Sequence, residues 1–206
     1  MSAISQPAAR YEYEPLPRNL PRPDHENGTL GMWLFISTEA MLFVMLFFSY
    51  FLLARGGARW LQEKPPKLTF ALVMLGVLLS SSFVLHWGER NARRGRIGTT
   101  RAVIWATCAL GVGFLILQFF EYRDHLRTLQ PTTDAYGSIF YTITSVHGLH
   151  VILGLLMLAY VACLPRVEED AGRWRVSLHN VGLYWHFVDT VWVLIVSLLY
   201  VLPNLR

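Results

Sequence analysis

The sequence predicts an all-α integral membrane protein, a bundle of five transmembrane helices with a cytoplasmic N-terminus and a periplasmic C-terminus. Three observations carry this reading. Hydrophobic residues make up 53% of the 206 and charged residues 16%, the composition of a membrane chain. Five apolar segments have about the length that carries a helix across a bilayer. Of the 18 Lys and Arg, 11 fall on the side holding the N-terminal tail and the segments 88–101 and 165–180, which the positive-inside rule places in the cytoplasm. Helices satisfy their own backbone groups in lipid, and nothing here alternates as barrel strands do.

Residues 1–30 are polar and proline-rich, with no apolar core of a signal peptide. They read as a cytoplasmic tail, disordered or ordered against a partner. The five-helix transmembrane domain follows over 31–206. Its first span, 31–53, has Glu39 as its only charge. An acid at such depth costs at least ~2.5–3.5 kcal/mol, so it faces a protein partner or marks function. The second span is 68–87, followed by a cytoplasmic loop, 88–101, that holds the run ERNARRGR from Glu89. The third, 102–120, ends beside Glu121, about 29 Å from the start of the span by helix rise. That depth puts Glu121 at the outer interface, paired with Arg123 or another nearby base.

The fourth span, 138–164, holds Thr142, Thr144, Ser145, His147 and His150, which suits a helix packed against other helices. The fifth, 181–202, carries His186 and Asp189. Cys108 and Cys163 read as buried apolar residues on the cytoplasmic side. The net charge of +4 comes from basic residues spread over loops on both sides, so topology explains it and nucleic acid does not.

Glu39 and Asp189 each lie about 12 Å from the cytoplasmic ends of their helices, and His186 is one turn from Asp189 on the same face. The three can form one hydrogen-bonded cluster that either locks the bundle or carries protons. His147 and His150 share a face but cannot be opposite axial ligands of one haem. His86 and His186 lie too near the cytoplasmic side to complete a pair with His147. A dinuclear copper site would need paired cysteines. No nucleophile triad, phosphate-binding glycine loop or zinc motif is present. The expectation is a chain with no metal, no cofactor and no catalytic centre of its own.

Four runs together resemble one family. GMWLFISTE from Gly31 is similar to a G-x-W-x-F helix with an embedded glutamate. LQFFEY from Leu117 resembles L-Q-x-x-E-Y. YGSIF from Tyr136, with VHGLHV from Val146, resembles Y-G-S-x-F followed by H-G-L-H-V. YWHFVDTVW from Tyr184 resembles Y-W-H-F-V-D-x-V-W. In this order and spacing they resemble subunit III of haem-copper respiratory oxidases, in its bacterial five-helix form.

The resemblance implies an accessory subunit of a proton-pumping terminal oxidase in the bacterial inner membrane. Such a subunit packs on subunit I, in a complex with subunit II, and sustains proton uptake and turnover. Haem and copper are then expected in the partner subunits, and phospholipid bound here. By the same resemblance Glu39 is the carboxyl that carbodiimides modify, and Arg166 binds a lipid headgroup. Glu39, Glu121, His147, His150, His186 and Asp189 form the buried polar set. His179 stands where seven-helix members carry a carboxylate. Two other readings stay open: because part of these motifs also resembles a related five-helix protein, an accessory subunit of a nitric oxide reductase, and, from Glu39 and Asp189, a stand-alone proton or solute carrier, against which the absence of an internal repeat argues.

Overall fold

The computed structural model describes residues 25–55, 68–125, 135–164 and 171–204. Five long helices follow in chain order: α1 (His25–Ala54), α2 (Leu68–Arg93), α3 (Ile97–His125), α4 (Ala135–Cys163) and α5 (Ala171–Ile195). A π-helical stretch, Val196–Val201, continues α5, and a last α turn, Leu202–Asn204, follows it. All five are long and apolar enough to cross a membrane. Among the described residues there is no strand, and the fold is a five-helix membrane bundle.

The helices run past the apolar segments from which they were predicted. α1 starts at His25, so residues 25–30 are helical where the sequence suggested tail; residues 1–24 lie outside the described set. The expected loop 88–101 is almost entirely helix, because α2 reaches Arg93 and α3 resumes at Ile97. The turn between them is a Schellman closure. Arg96 N–H bonds Asn91 O at 3.1 Å, Gly95 N–H bonds Ala92 O at 3.1 Å, and Gly95 holds φ +76°. Only glycine takes that left-handed conformation at little cost. His179 was expected in a loop and lies two turns inside α5. Hydropathy marks where the bilayer ends, whereas a helix ends where its last carbonyls are capped. Arg, Glu and Leu favour continuing it.

α4 and α5 form the centre. α5 packs on α4, α2 and α1; α4 also packs on α3 and α1, while α2 and α3 make a close hairpin. Burial follows this order: 56% of the fifth span's most apolar window is inside the bundle and 17% of the first's.

Trp185 is the middle of the core, with none of its surface exposed. Its indole fits between two helices that come close because they carry glycine. A Cβ on Gly111 (α3) would lie 2.8 Å from the ring, and one on Gly154 (α4) 2.9 Å from it. The Trp185 Nε1–H donates to Ser81 Oγ on α2 at 3.0 Å, so one side chain joins four helices. Without a hydrophobic drive in lipid, close packing through small residues is what holds helices together.

Two tyrosines secure the end of α5. Pro203 has no N–H and cannot donate to the carbonyls four and five residues back, Leu199 and Leu198. Those are the carbonyls that accept from Tyr136 Oη at 2.8 Å and Tyr50 Oη at 3.1 Å. The π-helical turn and the two hydroxyls, one from α4 and one from α1, are therefore parts of one arrangement.

Candidate functional site

Two groups of polar side chains inside the bundle lie on opposite sides of α5. In the first, α1 brings Glu39 to α4, where Glu39 Oε2 lies 3.0 Å from His150 Nε2. His150 Nδ1 lies 2.7 Å from the Val146 carbonyl. A carbonyl only accepts, so Nδ1 carries hydrogen and Nε2 is the variable nitrogen. Between Nε2 and the carboxyl there is then one proton. The pair is either a carboxylic acid donating to a neutral imidazole or an imidazolium donating to a carboxylate. Phe43 covers the imidazole edge-on at 4.9 Å, and Tyr184 Oη donates to the His150 carbonyl at 3.3 Å. Glu39 keeps 24% of its side chain exposed and His150 12%, so the acid sits at the rim and the base inside.

In the second site, α5 meets α2. Ser82 Oγ donates to Asp189 Oδ2 in a short contact and lies 2.8 Å from His186 Nδ1. Asp189 Oδ1 is buried with no partner among the described residues.

The sequence placed Glu39, His186 and Asp189 in one cluster, and the structure divides them. On α5, Tyr184 and Phe187 meet the aromatic rings Phe35 and Phe43 of α1. With 3.6 residues per turn, His186 and Asp189 then fall on the far side of α5, toward α2. Distance along a helix says nothing about rotation about its axis.

His147 on α4 packs against α5 and α3. It is fully buried, stacked on Trp192 with ring centroids 4.9 Å apart and edge-on to Phe114 at 5.7 Å. Neither ring nitrogen has a partner among the described residues, and neither does Trp192 Nε1. Although His147 and His150 share a helical face, only His150 reaches a carboxylate.

Glu121 is enclosed by the bundle. It is 2% exposed and accepts from Tyr200 Oη at 2.8 Å, while Arg123 is exposed. α3 continues to His125, which carries Glu121 into packing against the end of α5. Arg166 lies outside the described residues. Arg101 Nη2 donates to the Leu164 carbonyl at the end of α4.

Three participants escaped the sequence reading. Ser82 gave no signal beyond a run of three serines. Gln118 donates from Nε2 to Thr144 O at 2.8 Å and to Tyr122 Oη at 3.1 Å, and Tyr122 Oη donates to Thr144 Oγ1 at 2.7 Å. Gly148 makes room, since a Cβ there would lie 3.1 Å from the Gln118 amide oxygen. Tyr200 is the third. Among the described residues no group of three or more His, Cys, Asp or Glu is arranged to hold a metal ion, and Cys108 and Cys163 are free thiols.

Residues 25–203 match the family model for cytochrome c oxidase subunit III. The chain is 33% identical over 180 residues to cytochrome c oxidase subunit 3 of Thermostichus vulcanus, covering 85% of this chain and 87% of the relative. It is 35% identical over 175 residues to the subunit 3 of a Synechocystis strain, covering 84% and 74%. A probable subunit 3 of Mycobacterium leprae is 34% identical over 185 residues, covering 88% and 90%. Nothing in these comparisons supports the nitric oxide reductase or carrier readings.

Proposed function

Because the chain belongs to the cytochrome c oxidase subunit III family, we propose that it acts as the accessory subunit of a haem-copper terminal oxidase that reduces oxygen to water. The observation that carries this is the family match over 25–203, which takes in all five spans. Haem and copper belong to the partner subunits, subunit I being the main contact and subunit II the other. This chain contributes a shaped membrane surface and bound phospholipid, with Arg166 at a headgroup and the N-terminus in the cytoplasm of the bacterial inner membrane.

The chemistry of the two polar sites suits support of proton uptake more than catalysis. The Glu39–His150 pair holds one exchangeable proton between acid and base at 3.0 Å. It can keep that proton or shift it without leaving either group unpaired in a poor solvent for charge. Asp189 with Ser82 and His186, and Glu121 with Tyr200, tie α5 to α2 and α3. Their role is to keep the bundle in the form against which subunit I works.

The test is selective removal. Oxidase stripped of this chain keeps its full haem content and its initial oxygen-uptake rate near neutral pH, but loses activity after fewer turnovers. Re-adding the chain restores turnover lifetime. Loss of haem on stripping would contradict the accessory reading.

A further inference from the structure

The perimeter of the bundle is not uniform. Through its middle α1 exposes Met41, Leu42, Val44, Met45 and Phe48, and its exposed hydroxyls on Ser37 and Thr38 bond carbonyls of their own helix. α3 exposes Val112, Ile116 and Phe119. These are surfaces that hydrocarbon satisfies. The seam between α2 and α5 differs. It lines up Ser82 and His86 on α2 with His186 and Asp189 on α5, and outside them lies exposed Thr190.

The two helices are antiparallel along this seam. Ser82 meets His186 and Asp189, while Glu89 meets Gly182 seven residues farther along α2 and seven farther back along α5. From the Arg93 end of α2, His86 lies about 10 Å in and Ser82 about 16 Å in, by helix rise. Both positions lie within a helix of 26 residues that is long and apolar enough to cross a membrane. His86 is exposed there and His186 half-exposed.

The hydrogen bonds define what His186 lacks. Ser82 has one hydroxyl hydrogen and gives it to Asp189 Oδ2. Its oxygen is then left to accept from His186 Nδ1–H. That tautomer leaves His186 Nε2 as a bare acceptor, with no partner among the described residues, on a half-exposed side chain of a helix long and apolar enough to cross a membrane, where hydrocarbon would offer it no donor.

We propose that the α2–α5 seam is the face on which a membrane-spanning helix of the partner oxidase subunit docks, with a hydroxyl or N–H donor opposite His186 Nε2. The inference rests on the reading of this chain as an oxidase subunit and goes beyond it by naming the contact face. α1, whose outer side is apolar apart from hydroxyls bonded to its own helix and the rim of Glu39, is the lipid-facing helix in this arrangement.

A photo-reactive phenylalanine analogue replacing His86, Thr190 or, as control, Phe48 on α1 tests it in the assembled complex. Each complex is first checked for haem retained with this chain, then irradiated, and adducts are mapped by mass spectrometry. The expected result is cross-linking to a partner subunit from positions 86 and 190, and lipid adducts alone from 48. Partner adducts from 48, or only lipid adducts from both 86 and 190, overturn the proposal while leaving the subunit assignment standing. A tagged wild-type chain that brings no haem overturns the assignment itself, and the proposal with it.

Discussion

Glu39 Oε2 on α1 and His150 Nε2 on α4 lie 3.0 Å apart, a polar contact between the least buried helix and the centre of the bundle. Replacing one partner should expose the other. Glu39→Leu leaves His150 Nε2 without a partner and costs about 1–3 kcal/mol, the penalty for an unmet polar group in a poorly solvating site. Glu39→Gln keeps an N–H donor for the same nitrogen and should cost less than half as much. Thermal unfolding in mild detergent separates the two. Equal losses would show that the pair contributes no hydrogen bond.

Carbodiimide labelling probes the same carboxyl chemically. Wild-type chain should be modified at Glu39, which is 24% exposed at its rim. Glu39→Gln should abolish that label without creating another at Asp189, which is 5% exposed. Peptide mapping after labelling reads this directly.

Trp185 needs two glycines beside it. Gly111→Ala puts a methyl 2.8 Å from both the indole and Leu155, where neither ring nor helix can give easily. The expected loss is about 1–3 kcal/mol, the usual cost of overpacking. Gly113→Ala, two residues on with nothing within 4 Å, should be neutral or slightly stabilising. The yield and melting temperature of the two variants give the comparison.

Ser82 bridges Asp189 and His186, whereas Ser80 bonds only its own helix at Gly76 O. Ser82→Ala should therefore destabilise by about 1–3 kcal/mol, since it strands a buried carboxylate oxygen. Ser80→Ala should change stability by less than ~0.5 kcal/mol. Similar effects from both would remove the case for the bridge.

The tyrosine arrangement at the end of α5 predicts coupling. Tyr136→Phe removes the donor to Leu199 O and should cost about 1 kcal/mol. In a Pro203→Ala background the restored N–H can serve that carbonyl instead, and the same change should cost clearly less. A double-mutant cycle measures the difference, and strict additivity would contradict the role given to Pro203.

Five helices were legible because apolar length alone marks a span. What hydropathy could not show was helix beyond the bilayer. The stretch from Gly172 to Asn180 is rich in Arg, His and Asn, yet it is helical, with Leu178 buried and Trp174 Nε1 donating to Val161 O on α4 at 3.0 Å. The candidate residues were found by type, since Glu39, Asp189 and the histidines are costly in lipid. Their partners were not legible. A helix apolar all round carries no marker of which side meets which neighbour, so Glu39 was placed with Asp189 instead of His150. Ser82, Gln118 and Tyr200 are uncharged and ordinary in a membrane helix, and only their facing partners reveal them.

The most direct test of the account is purification through a tag on this chain in mild detergent, followed by a reduced-minus-oxidised spectrum and oxygen uptake with reduced cytochrome c. The account predicts haem bands that travel with larger partner chains, together with oxygen reduction. A haem-free chain running alone, or a complex that turns over nitric oxide without consuming oxygen, would contradict it.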